Sequence, residues 1–394
     1  MAGEWHQTTL GSITAKGYGL VDGPFGSNLP ASCYTEHGVP VIRGSNLTLG
    51  TSRFRTHEFV FVSRDTAQRL ERSLCRPFDI VFTKKGTLGQ TGLVPDGGPY
   101  ELYLLSSNQM KLTVDRRLAD PLFVYYFVSS PESTRKIIQD SEATGVPKTN
   151  VTYLRDFPIT LPPLLEQRAI AHILGTLDDK IELNRRMNET LEQMARALFK
   201  SWFVDFNPVR VKAEGRDPGL PGPLDDLFPA RFEDSELGKI PAGWRVSSLG
   251  TLFPDDTECV LTGPFGSNLH AHDYREEGVP LILVKHVVDG HILEDDLPLV
   301  GAHKLGDMER YRLVVGDIVF TRVGAVGRSA YVHPRYSGWL ISGQMLRVRV
   351  PDWTALHPRY LAQVFLEKSF TDMVEGYALG TNTRLRLQMM LRTR

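Results

Sequence analysis

Between Leu165 and Trp202 the apolar positions step by four and three: Ile170, Leu174, Leu177, Ile181, then Leu191, Ala195, Leu198 and Trp202. Two polar residues, Asn184 and Asn188, continue the same steps in the middle. The stretch has no proline and one glycine, Gly175. This spacing predicts a long helix with an apolar seam made for another helix. Pro162 and Pro163 before it and Pro208 after it are boundary signals. At about 1.5 Å per residue the rod would be roughly 57 Å long. Asn184 and Asn188 either fix a register by pairing inside the seam or tilt to its flank.

On both sides of this helix the pattern changes to short apolar runs broken by Gly-rich turns. Strands are predicted at Val39–Arg43, Ile80–Thr83, Gly92–Val94 and Gln109–Val114, then at Ile282–Val284, Ile318–Thr321 and Met345–Val350. A short helix follows each set, near Pro121–Ser129 and His357–Glu367. The two sets are copies. Gly23-Pro24-Phe25-Gly26-Ser27-Asn28-Leu29 recurs letter for letter as Gly263-Pro264-Phe265-Gly266-Ser267-Asn268-Leu269. Asp79-Ile80-Val81-Phe82-Thr83 recurs at Asp317–Thr321, and Gln109-Met110 matches Gln344-Met345. A unit this long is a duplicated domain rather than a solenoid repeat. The fold class is therefore α+β, with two homologous mixed domains joined by a long coiled-coil-type helix. The domains are 1–160 and 241–394, the helix is 161–206, and a Pro/Gly-rich, partly acidic connector fills 207–240.

Composition changes this picture little. The 394 residues allow two or three domains, and 41% hydrophobic with 23% charged is ordinary for a globular chain. The formal net charge of −1 excludes binding to nucleic acid through bulk positive charge. Local balance differs. Nine basic residues face four acidic ones from Arg43 to Lys85, and eight face three from Lys304 to Arg349. Three scattered cysteines, with no CxxC pair, rule out a disulfide framework and a thiolate zinc site. There is no signal peptide at the start and no apolar run of membrane-spanning length, so a cytoplasmic protein is expected.

Signatures of catalysis are missing: no GK[ST] loop, no [DNS]PP[YF] methyltransferase tetrapeptide and no HxE…PCxxC deaminase pattern. Asp79 with Lys84-Lys85 has the outline of a metal nuclease site, but its counterpart, Asp317 with Arg322, loses the lysine. The eleven histidines lack HExxH spacing, so no metal site is expected.

Two GPFGSNL domains joined by the block from PPLLEQR to WFVDF closely resemble the DNA-specificity subunits of type I restriction–modification systems. The resemblance covers nearly the whole chain. It implies a non-catalytic subunit with two target-recognition domains, each reading one half of a split double-stranded DNA site. It also implies docking of adenine-methyltransferase subunits and, through them, restriction subunits. No cofactor would sit in this chain; S-adenosylmethionine, ATP and magnesium would belong to those partners. Members of the family carry a second PP-x-x-EQ helix after the second domain. Its place here would be residues 401 and 402, beyond Arg394, so the distal helix is expected to be absent. The seam would then pair between two copies of the chain or borrow a partner's helix. Two alternatives stay open: a truncated scaffold that reads no DNA, and an enzyme with an unrecognised nuclease or methyltransferase site.

For DNA contact, phosphate binding would position each domain while a few polar side chains read bases. GPFGSNL fits a phosphate-approaching loop, with Ser27, Asn28, Ser267 and Asn268 donating, or a structural turn with Phe25 or Phe265 as a core anchor. Its identity in both copies argues against base readout. Base readers belong where the copies differ: Arg43, Ser45 and Asn46 against Lys285 and His286, and Lys84 and Lys85 against Arg322. Arg328 adds to the second copy's basic set. Lys148 and Asn150, with Asn382 as the weaker counterpart, sit in loops that either line the groove or merely connect.

Overall fold

A computed structural model describes residues 4–50, 52–142, 149–236, 238–247, 258–264, 269–352 and 356–378. The chain divides into two units, Met1–Glu189 and Thr190–Arg394.

In the first unit Ile80–Thr83 is buried at all four residues because both faces of its sheet are covered. Ile80 and Phe82 point into a cluster with Phe123, Val124 and Val128 of the helix Pro121–Val128. Val81 points the other way, into a cluster with Ile42, Leu47, Cys75, Tyr103 and Leu105. An uninterrupted apolar run results, as expected for a strand buried on both sides. The sheet has the antiparallel order Leu20–Asp22, Gln109–Leu112, Ile80–Thr83, Thr91–Leu93. A second, five-stranded sheet runs Tyr34–Thr35, Val60–Val62, Val39–Ile42, Tyr103–Leu105, Leu74–Cys75, with one parallel pair, Val39–Ile42 beside Tyr103–Leu105. Asp120 caps the following helix, its Oδ1 accepting from the Leu122 and Phe123 amides at 3.0 Å, with Pro121 at the first helical position.

The second unit repeats the four-stranded sheet strand for strand, while its second sheet has four strands and only the isolated bridge Arg312–Leu340 in place of the fifth. Its antiparallel sheet runs Val260–Thr262, Met345–Val348, Ile318–Thr321, Ser329–Tyr331. Ile318 and Phe320 face Leu361, Ala362 and Phe365 of the helix Pro358–Leu366, while Val319 faces Ile282, Val287 and Tyr336. In the second sheet Val279–Ile282 again pairs in parallel, here with Leu340–Ile341. The duplication read from the sequence is thus a duplication of topology.

Three details correct the sequence reading. Thr83 pairs with Gln109 and Thr321 with Met345, so Gln344 matches Asn108 rather than Gln109. The Lys84 amide donates to the Asn108 carbonyl and the Arg322 amide to the Gln344 carbonyl, as that register requires. The strand expected at Ile282–Val284 ends at Ile282, because Val284–His286 closes a 3₁₀ turn. Each unit also has a second helix that periodicity missed, Pro131–Glu142 and Lys368–Ala378.

The predicted rod is the 36-residue helix Leu164–Phe199, continued by a wide turn at Lys200–Val204 and stopped by Phe206 at φ 54°. It docks on the first unit through small and polar residues, not through its seam. The Gln167 amide donates to the Pro162 carbonyl, and its Oε1 accepts from the Asp120 amide. Ala171 is buried, and a Cβ on Gly175 would lie 3.0 Å from Leu122 Cδ2. Asp178 accepts from the Tyr126 hydroxyl at 2.7 Å and, with Asp179, pairs with Arg53. Within the second unit Glu192 pairs with His291, Arg196 donates to the Asp289 carbonyl, and Phe199 packs on Tyr360. The seam is left open: Leu177, Ile181, Leu191 and Leu198 are each about half exposed, and Asn184 and Asn188 are exposed with them. Leu174 is open as well, while Ile170 and Trp202 at the two ends are half-buried. Residues 207–236 and 238–241 are ordered as the helix Asn207–Ala213, a helical turn and the hairpin Phe232–Ser235 with Gly238–Pro241.

Candidate nucleic-acid interface

In the first unit, one end of the four-stranded sheet gathers loops that are far apart in the chain. The Gly23 amide donates to the Gln109 carbonyl at 2.8 Å, which fixes the GPFGSNL loop over that sheet end. A Cβ on Gly23 would lie 1.9 Å from the Ser106 carbonyl oxygen, and one on Gly263 would lie 2.1 Å from that of Ser342. Only glycine fits this approach, which accounts for its presence in both copies. The Lys84 and Lys85 amides share the Asn108 carbonyl, and Thr149 donates through its amide to the Lys84 carbonyl and through its hydroxyl to that of Thr83. A Cβ on Gly44 would lie 3.6 Å from Gln90 Oε1, which brings the Arg43–Asn46 turn to the same place.

Ser27, Asn28, Ser45 and Lys85 are exposed there, and Lys84 is half-buried with its Nζ 2.8 Å from Asp22 Oδ1. Asn150 is exposed but caps the helix Val151–Asp156, accepting from the Tyr153 amide at 2.8 Å. Phe25 is 72% exposed. It is therefore not the core anchor of the turn. Gly23 and Pro24 are buried, and the 3₁₀ turn Gly26–Asn28 that follows leaves the ring outside.

Three of the residues expected to read bases lie inside. Asn46 is fully buried: its Oδ1 accepts from the Arg43 amide at 2.9 Å, and its amide donates to the Arg55 and His57 carbonyls at 3.2 and 3.0 Å. His286 takes the matching place in the second unit, its Nδ1 accepting from the Leu283 amide at 3.0 Å. Burial, and then neighbouring Lys285, lower the pKa of His286. Sequence comparison of the copies shows a difference at this position but hides that both side chains do one job, closing a 3₁₀ turn. Arg43 is half-buried and donates to the Glu58 carbonyl. Arg322 is buried as well.

In the second unit Gly263 donates to the Met345 carbonyl at 3.0 Å and Gly324 lies against Val284, so the same loops converge. Lys285 is exposed and paired with Asp296, whose carboxyl it holds below the usual range. Arg328 is exposed beside a cleft of about 780 Å³. Ser267, Asn268, Lys148 and Asn382 lie outside the described residues.

The nuclease-like outline around Asp79 has a structural explanation. Its buried carboxylate accepts from the Arg76 amide at 2.9 Å, the Thr113 hydroxyl at 2.5 Å and Lys111 Nζ at 3.3 Å, while Lys84 points to Asp22. Asp317 repeats the arrangement with the Val314 amide and Arg349, at 2.7 Å from both of its carboxylate oxygens. Among the described residues no group of three His, Cys, Asp or Glu side chains is placed to hold a metal ion, and no helix is long and apolar enough to cross a membrane.

Residues 31–193 match the sequence family described as the type I restriction modification DNA specificity domain. A relative from Haemophilus influenzae, the type I restriction enzyme HindI specificity subunit, is 36% identical over 146 residues, covering 35% of this chain and 32% of the relative. The MjaIX specificity subunit of Methanocaldococcus jannaschii is 25% identical over 286 residues, covering 70% and 59%. The chain therefore spans between a third and three fifths of the length of these relatives. A crystal structure of a type I restriction-modification S subunit from M. genitalium aligns over 99% of this chain and 87% of its own, with 14% identity and a TM-score of 0.45. The chain is similar to the specificity subunits of type I restriction–modification systems, the match to the DNA specificity domain falling at residues 31–193.

Proposed function

We propose that this chain is the sequence-reading subunit of a type I restriction–modification complex and performs no chemistry itself. It binds a bipartite duplex site in the cytoplasm, one half for each unit, and docks methyltransferase subunits that in turn recruit restriction subunits. S-adenosylmethionine, ATP and magnesium then belong to those subunits. One observation carries the reading: the two units build four-stranded sheets of identical strand order, and the loops described at the same sheet end carry different residues. A shared scaffold supplies the backbone grip, and the differing exposed side chains supply two unlike half-sites. Lys85 in one unit and Arg328 in the other are exposed and free of ion pairs among the described residues, as phosphate contacts require. The open seam of the long helix supports docking of a helical partner.

The test is selection from a random duplex pool by the purified chain, with and without methyltransferase partner. Two unlike half-sites at a fixed gap are expected, with affinity that falls steeply as salt rises. Binding without sequence preference refutes the reading. So does methyl transfer or strand cleavage by the chain alone when given S-adenosylmethionine or Mg²⁺.

A further inference from the structure

We infer that Phe25 is a stacking wedge, a side chain that presses its ring against an unstacked base step of the bound duplex. This inference rests on the DNA-reading function proposed above and adds a contact which no base-edge or phosphate argument supplies.

Four observations lead to it. The ring is 72% exposed, although a phenylalanine is strongly favoured in the core over water. The loop that carries it is held from below. Gly23 is pressed on the Ser106 carbonyl, Pro24 is buried, and the Asn28 amide donates to the Phe25 carbonyl at 2.8 Å. The ring is thus presented on a rigid turn. Beside it stands Lys84, its Nζ 5.8 Å from the ring centroid and tied to Asp22, with exposed Lys85 next in the chain. A cationic flank suits a ring that approaches a polyanion.

The fourth observation is the repeat itself. GPFGSNL is identical in two domains whose other loop residues differ. A contact kept unchanged between two differently reading heads has to be one that every sequence offers. Hydrogen-bonding edges vary with the base pair, but every base has an apolar π face, so stacking tolerates any sequence. Apolar side chains inserted between base steps also unstack and kink the duplex. The wedge would therefore set the local bend on which the polar readers then act.

The experiment uses the full chain and a duplex recovered by the selection above, with 2-aminopurine placed in turn at each position of the half-site. Binding by the wild type is expected to raise fluorescence at one step. Phe25→Ala should abolish that rise and weaken binding by roughly 5- to 150-fold, the range for one base–aromatic stack. Phe25→Trp should restore both. The salt slope should stay unchanged in Phe25→Ala, since no phosphate contact is removed. The thermal melting profile should match the wild type, because the ring lies outside the core. Equal affinity and an equal fluorescence profile in Phe25→Ala overturn the wedge while leaving DNA recognition intact. So does a variant that reads DNA normally but fails to assemble with the methyltransferase partner, which makes Phe25 a protein contact. A wild-type chain that binds no duplex overturns the DNA-reading function itself, and the wedge with it.

Discussion

Asn46 and its neighbour Ser45 divide the work of one turn. Ser45 faces solvent, whereas the Asn46 side chain makes three hydrogen bonds to backbone from a fully buried place. Replacing Asn46 with alanine strands one amide and two carbonyls. A loss of roughly 2–4 kcal/mol is expected in urea unfolding, against no measurable change for Ser45→Ala. His286 closes the equivalent turn by accepting from Leu283, and burial lowers its pKa from 6.5. Its folded form resists a proton that the unfolded chain accepts. The stability it contributes is complete above about pH 6.5 and is lost as pH falls below that value. His286→Asn, which borrows the residue of the first copy, should keep the fold and flatten the acid limb of a melting-temperature profile between pH 7 and 5. His333, whose pKa is lowered by burial and then by Arg359, stays in that variant, so part of the limb remains.

The long helix uses two faces. Gln167, Ala171, Gly175 and Asp178 form the face that docks, and its side chains are small or polar enough to let the helix lie close to Leu122 and Tyr126. The heptad face stays in water. Leu177 is 54% and Ile181 49% exposed, a state that apolar side chains repeated along a helix keep only until a partner covers them. Leu177→Asp with Ile181→Asp should leave thermal stability of the unassociated chain within about 0.5 kcal/mol, as surface substitutions do. The same pair should abolish association with a helical partner, or with a second copy of the chain, in sedimentation velocity. Unchanged association would place the contact on another face.

Each unit holds its own cores around its own pair of sheets, and the cationic residues left free are spread over both. Under the proposed function, with one half-site for each unit, the two units should contribute independently to electrostatic binding. Lys85→Ala and Arg328→Ala are each expected to lower the slope of log affinity against log salt by about one, and together by about two. Slopes are measured by titrating labelled duplex at four or more salt concentrations. A single variant that removes the whole slope would contradict a two-headed grip.

Much of this architecture is legible in the residues because it rests on local, repeating physics. The strand Ile80–Thr83 and its copy Ile318–Thr321, the helix that begins at Pro121 and the rod from Leu164 all follow from periodicity, capping and the repeat itself. Burial and partnership are not local. Nothing in the chain near Phe25 shows that its turn points outward, and nothing near Asn46 shows that carbonyls nine and eleven residues away will claim its amide. The one-residue slip in matching Gln109 to Gln344 has the same origin, since only ladder pairing fixes which residues stand opposite each other. The order of elements can be read along the chain, but the outward or inward direction of a loop side chain depends on contacts between segments that only folding brings together.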